Sequence, residues 1–133
     1  MKNKILVCSR DLSSALKMKI FLEGKGFYVF DPISSGGELI EAALKQHPTL
    51  IISDITLKGE IDGIEAISRI SGITKIPFIF VADGKENISL IKSYYLNPVN
   101  VFIKPVDLNE LHLFVNDNTR ILNYTANSDY YLG

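Results

Sequence analysis

Residues 50–54 read Leu-Ile-Ile-Ser-Asp, an unbroken apolar run that ends on an acidic side chain. An apolar run that is rich in β-branched residues and does not alternate with polar ones is typical of a strand buried on both faces. Four similar runs occur elsewhere in the chain, at Ile5–Cys8, Phe27–Phe30, Phe78–Ala82 and Val99–Ile103. The five runs predict five buried strands.

The interval after the first run has helical spacing. Residues 12–25 are predicted to form an amphipathic helix that ends at Gly24 and Gly26. The side facing the sheet is predicted to carry Leu12, Ala15, Leu16, Ile20 and Leu22.

The other four intervals also carry helix signals. Ser35 with Glu38, and Asp107 with Glu110, have the three-residue spacing of a capping box, which marks the start of a helix. The helix after Ser35 is predicted to stop at His47. Two more helices are predicted before Gly72 and from about Glu86 to Tyr95, and the last helix is predicted to bury Leu108, Leu111, Val115 and Ile121 or Leu122.

Five strands that alternate with five helices predict an α/β fold with a doubly wound, five-stranded parallel sheet. Parallel neighbours need right-handed crossover connections, and these place helices on both faces of the sheet. In such folds, ligands and chemistry lie beyond the carboxyl ends of the strands. The side chains expected there are Ser9, Arg10, Asp11, Asp54, Ala82, Asp83 and Lys104.

Composition excludes several classes of function. The chain has 133 residues, of which 47% are hydrophobic, and a formal net charge of −1, which disfavours direct binding to nucleic acid or to an anionic membrane. One cysteine, Cys8, and two histidines can form neither an internal disulfide nor a cysteine-based zinc site. No apolar stretch approaches the roughly 20 residues that span a bilayer. We expect a soluble protein of the cytoplasm, with 123–133 as a tail or linker.

Two charged residues suggest the chemistry of the site. Asp54 ends the third predicted strand and Lys104 ends the fifth, directly before Pro105. Either residue alone is compatible with a turn or a solvated surface. Together they can converge on one anion, with the carboxylate as nucleophile and the ammonium as counterion to a phosphoryl group.

The chain resembles the receiver domain of two-component response regulators, the CheY-like branch of the flavodoxin-like folds, over Lys4–Leu122. The motifs that carry the resemblance are residues 4–7, 50–55, 62–67, 77–81 and 102–105. The resemblance implies a receiver domain over 1–122 that takes a phosphoryl group from a sensor histidine kinase or phosphotransfer protein. It assigns Asp54 as phosphoacceptor and Lys104 as the phosphoryl-contacting lysine, with Mg²⁺ held by Asp54 and the main-chain carbonyl of Thr56.

The sequence departs from this family at four positions. Ser9 and Arg10 stand where the family usually has two acidic metal ligands, so Mg²⁺ binding is expected to be weak or absent. Ala82 stands at the switch hydroxyl position, and Val101 at the switch aromatic position. Asp11 is a possible substitute ligand, although the cap of the first helix is the favoured interpretation of this residue.

Two hypotheses of different classes follow. The first is a phosphoacceptor receiver without enzyme activity of its own, for which an output domain in a longer parent chain is a candidate partner. The second is a degenerate pseudo-receiver that acts as a phosphorylation-independent interaction module. A phosphatase is excluded, because position 14, where the loop of that class needs arginine, is Ser14; the loop after the first strand also lacks the phosphate-cradling residues of a flavin site.

Two contacts are predicted for particular side chains. The guanidinium of Arg10 is predicted to lie at the Asp54 carboxylate in place of the metal, because its planar fork can bind a carboxylate in a bidentate manner. At the end of the fourth helix, one of Tyr94 and Tyr95 is predicted to stay on the surface beside Leu113 or Val101, where it would support a homodimer or a partner interface.

Overall fold

The computed structural model describes residues 3–86 and 88–117. Five parallel strands form one sheet in the order β2-β1-β3-β4-β5. All of them lie on the predicted runs, so the parallel sheet is confirmed. The strands are β1 (Lys4–Cys8), β2 (Tyr28–Val29), β3 (Leu50–Asp54), β4 (Phe78–Ala82) and β5 (Asn100–Ile103).

Helices cover both faces of the sheet. They are α1 (Leu12–Gly24), α2 (Gly36–Gln46), α3 (Gly63–Ser71), α4 (Ser89–Ser93) and α5 (108–117). One core cluster joins the sheet to α2, α3 and α4, and a second joins it to α1 and α5. The doubly wound α/β fold with five helices is therefore confirmed.

Side-chain caps begin the helices at the predicted positions. Ser35 accepts a hydrogen bond from the Glu38 N–H at 3.2 Å, and the Glu38 carboxylate accepts one from the Ser35 N–H, which completes the capping box. His47 ends α2 in a left-handed conformation, with φ of 50°. Asp107 accepts from the N–H of Glu110 at 3.2 Å and so caps α5.

The predicted inner face of α1 is wrong. Ala15 and Leu22 are buried, as expected, but the third buried residue is Met18. The other three predicted members are exposed: Leu12, Leu16 and Ile20. Apolar residues occur on more than one side of this helix, so their spacing alone does not determine which side packs against the sheet.

The fourth helix is shorter than predicted. It begins at Ser89, because the Glu86 side chain turns back to accept a hydrogen bond from the Asp83 N–H at 2.7 Å and holds residues 83–86 in a turn. At its other end, Tyr94 and Tyr95 are both exposed, which confirms the expectation of a surface tyrosine.

Within residues 3–86 and 88–117, no helix is long and apolar enough to cross a membrane. The predicted domain boundary at 122, the tail at 123–133 and the expected burial of Ile121 or Leu122 lie outside the described residues.

Candidate functional site

Asp54 ends β3, the central strand of the sheet. The strand pairs with β1 through Cys8 and Ser53, and with β4 through Val81 and Asp54. The side chain of Asp54 is only 6% exposed. Because all five strands are parallel, the residues that follow β1 and β5 reach the same edge as this carboxylate.

Three donors converge on one oxygen of this carboxylate. Asp54 Oδ2 accepts a hydrogen bond from Ser9 Oγ at 2.8 Å and another from the Arg10 main-chain N–H at 3.0 Å. Lys104 Nζ lies 3.0 Å from the same oxygen and forms an ion pair with it. The structure therefore brings together Asp54 and Lys104, as predicted.

The second oxygen, Oδ1, has different surroundings. It accepts none of the hydrogen bonds found within the described ranges. Every fully buried side-chain polar atom described has a hydrogen-bond partner, so Oδ1 must be in contact with solvent. The carboxylate thus has one oxygen that is held and neutralised and one that contacts solvent.

The predicted contact of the Arg10 guanidinium with Asp54 is wrong. Among the ion pairs of residues 3–86 and 88–117, Asp54 has Lys104 as its partner and Arg10 has none. The reason is the start of α1. Asp11 caps that helix by accepting from the Ser13 N–H at 3.0 Å, and this turn leaves Arg10 on the exposed side while its N–H points at Asp54.

Asp11 is the N-cap of α1, the role that the sequence favoured. Its second carboxylate oxygen accepts from Ser14 Oγ at 2.8 Å. This hydrogen bond is the main cause that holds the pKa of Asp11 below its ordinary value. The carboxylate is therefore engaged by α1 itself.

Lys104 reaches the site from the end of β5. Its N–H donates to the Ala82 carbonyl at 2.8 Å, which fixes the strand end beside β4. The peptide bond from Lys104 to Pro105 is cis. The side chain of Lys104 is 37% exposed, so the ammonium contacts both the carboxylate and solvent.

Apolar side chains occupy the two positions where the family resemblance leads one to expect a switch hydroxyl and a switch aromatic residue. Ala82 ends β4 and is fully buried, and Val101 in β5 is half-buried. The methyl group of Ala82 can neither donate nor accept a hydrogen bond, so this side chain cannot respond to a change at Asp54 by hydrogen bonding.

Sequence reasoning missed a link between the two loops beside the site. Thr56 Oγ1 donates to Glu86 Oε2 at 2.8 Å, and the other oxygen of Glu86 accepts from the Asp83 N–H. The loop after β3 is thereby tied to the loop after β4. Glu86 follows the strand by four positions and was assigned to the fourth helix, so no spacing signal pointed to this contact.

The residues around Asp54 do not fit the Mg²⁺ that receiver domains typically bind. Mg²⁺ needs oxygen ligands that donate a lone pair to it, mostly those of carboxylates and waters. Here the groups beside the carboxylate are a hydroxyl that donates, an N–H and an ammonium. In the described ranges, no three Asp, Glu, His or Cys side chains are grouped so that they could hold a metal ion.

Cys8 lies directly beneath this edge and is buried in the core. Burial is the main cause that raises the pKa of its thiol to about 12, and the negative charges of Asp54 and Glu38 add to the effect. At neutral pH the group is therefore a thiol and not a nucleophilic thiolate.

A family model described as the response regulator receiver domain matches residues 5–116. A curated relative, a probable transcriptional regulator named ycf29 from Pyropia yezoensis, is 28% identical over 120 residues. That alignment covers 88% of this chain and 53% of the relative, so the chain spans about half the length of the relative it matches.

Solved structures show the same fold. A two-component response regulator from Clostridium difficile is 27% identical, with a TM-score of 0.80, and the alignment covers 92% of this chain and 99% of that one. The signal receiver domain of a modulated diguanylate cyclase from Desulfovibrio desulfuricans has 23% identity and a TM-score of 0.82, covering 94% and 99%. A CheY-like receiver domain from Methanospirillum hungatei has 18% identity and a TM-score of 0.83, covering 94% and 99%.

Proposed function

This chain belongs to the response regulator receiver domain family, and from that premise we propose that it accepts a phosphoryl group on Asp54. The donor is the phosphohistidine of a sensor histidine kinase or a phosphotransfer protein. The observation that carries the proposal is the convergence of Ser9, Arg10 and Lys104 on one oxygen of Asp54, with the other oxygen open to solvent.

The proposed chemistry follows from the different surroundings of the two Asp54 oxygens. Asp54 Oδ1 attacks the phosphorus of the phosphohistidine, and a new P–O bond forms as the P–N bond breaks. The electron pair of the P–N bond returns to the imidazole nitrogen, which takes up a proton. The hydrogen bonds to Oδ2 orient the carboxylate for this attack.

Lys104 supplies the compensating charge. Its ammonium lies 3.0 Å from Oδ2 and is partly exposed, so it can also contact an oxygen of the arriving phosphoryl group. Ser9 and Arg10 stand where the family usually has two acidic metal ligands, and neither supplies a carboxylate. No step of this transfer is therefore assigned to Mg²⁺. We expect slow transfer for that reason.

A second candidate function is a pseudo-receiver that acts as an interaction module without phosphorylation. It is supported by Ser9 at a position where the family has an acidic residue, and by the methyl group of Ala82 where a switch hydroxyl would lie. In this function the fold is retained for its surfaces, and Lys104 neutralises a buried carboxylate.

Partners, location and context are also part of the proposal. The exposed residues Leu90, Tyr94 and Tyr95, here named the α4 patch, offer a surface for a homodimer or an output domain of a longer parent chain. We place the protein in the cytoplasm, which suits the free thiol of Cys8. The domain itself is proposed to be non-enzymatic.

The test is incubation with acetyl phosphate, and separately with a phosphorylated histidine kinase, followed by intact-mass measurement. We expect one added phosphoryl group in the native chain and none in Asp54→Asn. Asp83→Asn, which changes an exposed carboxylate at the same edge, is the matched control and should keep labelling. Labelling that survives Asp54→Asn contradicts the assignment, and a native chain that is never labelled favours the pseudo-receiver.

A further inference from the structure

A cavity of about 580 Å³ opens beside Asp54 and extends between the sheet and α1. This volume is within the range of about 300 to 1,000 Å³ that is usual for small-molecule sites. Its lining also includes Lys17 and Met18 of α1 and Leu108 of α5, which the phosphoryl chemistry described above does not use.

The walls of the cavity are mostly apolar. Ile52 and Val81 contribute from the sheet, Ala15 and Met18 from α1, and Leu108 from the start of α5. These side chains belong to the core cluster on this face of the sheet. Four of these side chains are at most 8% exposed and Leu108 is half-buried, so an apolar ligand here would be enclosed by apolar groups and would remove its own surface from water.

The charges of the lining favour an anion. Lys17 and Lys104 line the cavity together with one carboxylate, that of Asp54. Lys104 is paired with Asp54, whereas Lys17 forms no ion pair with any residue in the ranges 3–86 and 88–117. The lining therefore carries one positive charge that nothing in it compensates.

We propose that this cavity binds a small amphipathic anion, with its apolar body between α1 and the sheet and its anionic head at Lys17. The hydroxyls of Ser9 and Ser14 line the same cavity and add polar groups to it. Asp54 and Lys104 also line the cavity, so a bound anion lies beside the phosphorylation site and repels an arriving phosphoryl group. The binding itself does not depend on phosphotransfer.

The test uses decanoate as the probe, with titration calorimetry and amide chemical shifts of the native chain. We expect saturable one-to-one binding of decanoate, about tenfold weaker binding of 1-decanol, which lacks the charge, and no binding of acetate, which lacks the apolar body. Shifts should centre on α1 and the start of α5.

Two variants locate the site. Lys17→Gln should weaken decanoate binding about tenfold through loss of a charge-assisted contact. Ala15→Leu should abolish it by filling the cavity, and circular dichroism checks that the variant folds. Leu16→Ala, which changes an exposed side chain of the same helix outside the cavity, is the matched control and should bind normally.

The proposal is overturned if decanoate does not bind, if 1-decanol binds equally well, or if Lys17→Gln binds with native affinity. These readouts need no labelling of Asp54, so failure of the phosphoacceptor proposal leaves them intact. Should labelling occur, saturating decanoate is expected to slow it in the native chain and not in Ala15→Leu.

Discussion

Gly63 lies so close to the main-chain carbonyl of Asp54 that a β-carbon on this residue would overlap the carbonyl oxygen. The Gly63 N–H also donates to the Ile55 carbonyl at 2.7 Å. The first residue of α3 is thus packed against the backbone that carries Asp54.

Gly63→Ala should therefore displace Asp54 and destabilise the fold by about 1 to 3 kcal/mol. Urea unfolding measures the loss of stability, and the rate of labelling by acetyl phosphate reports the displacement of Asp54. Gly37→Ala is the control, because Gly37 is near the start of α2 and its added methyl meets nothing within 4 Å. Equal stability of the two variants would contradict the predicted overlap.

Carboxylates at the end of β1 should add the oxygen ligands that Mg²⁺ prefers beside Asp54. Ser9→Asp with Arg10→Asp is expected to raise Mg²⁺ affinity by at least about tenfold and to speed labelling of Asp54 by acetyl phosphate. Titration calorimetry and intact-mass kinetics measure the two effects. Without Mg²⁺ the double variant should be less stable, because it adds negative charge beside a buried carboxylate.

Arg10→Ala distinguishes gained ligands from the removal of a blocking cation. The Arg10 guanidinium has no ion pair with Asp54, so this single change should leave Mg²⁺ affinity at its low native value. A gain as large as that of the double variant would mean that the arginine side chain does block the site.

Cys8 should react slowly with thiol reagents near pH 8 in the native chain and rapidly after unfolding. Burial raises the pKa of its thiol to about 12 from an ordinary value of 9.0. Above pH 9 the thiol ionises in the unfolded chain but not in the folded one, so the free energy of unfolding falls as the pH rises from 9 toward about 12. Below pH 9 the thiol has no such effect. Fast native modification would contradict the raised pKa.

The same shift predicts a pH dependence of folding. At about pH 10.5 the native chain should have lost roughly 2 kcal/mol of stability that Cys8→Ala does not lose, because only the native chain has the thiol to ionise on unfolding. Urea unfolding of both chains near pH 8 and at the higher pH measures the difference. Parallel changes in the two chains would contradict the prediction.

Self-association, if it occurs, should depend on the α4 patch. Tyr94→Asp is expected to weaken a native dimer about tenfold by placing a charge in the apolar contact, as measured by analytical ultracentrifugation. Tyr28→Asp is the control, because Tyr28 is 47% exposed against 44% for Tyr94 and lies in β2, at the opposite edge of the sheet from β5. If both changes weaken the dimer equally, the α4 patch is not part of the interface.

The sequence predicted the features that depend on local chemistry. The apolar run of β4 and the capping box at Ser35 are properties of a few adjacent residues, and both were found at the expected positions. Asp54 and Lys104 were predicted to meet, because the carboxyl ends of parallel strands meet at one edge.

Features that depend on side-chain direction could not be predicted in this way. The exposed side of α1 and the outward direction of Arg10 are set by how one helix docks after its Asp11 cap. Glu86 likewise reaches Thr56 across two loops that are far apart in sequence. No periodicity in the chain encodes such contacts.

The hydrogen bonds at Asp54 also constrain when this site can form while the chain is being synthesised. Ser9 meets Asp54 across 45 residues, and Lys104 meets it across a further 50. A growing chain that has produced β3 can already pair Ser9 with the carboxylate, but its charge stays uncompensated until β5 has left the ribosome. Fragments that stop before position 104 lack the ammonium that compensates this carboxylate, so the site is finished only when almost the whole domain is present.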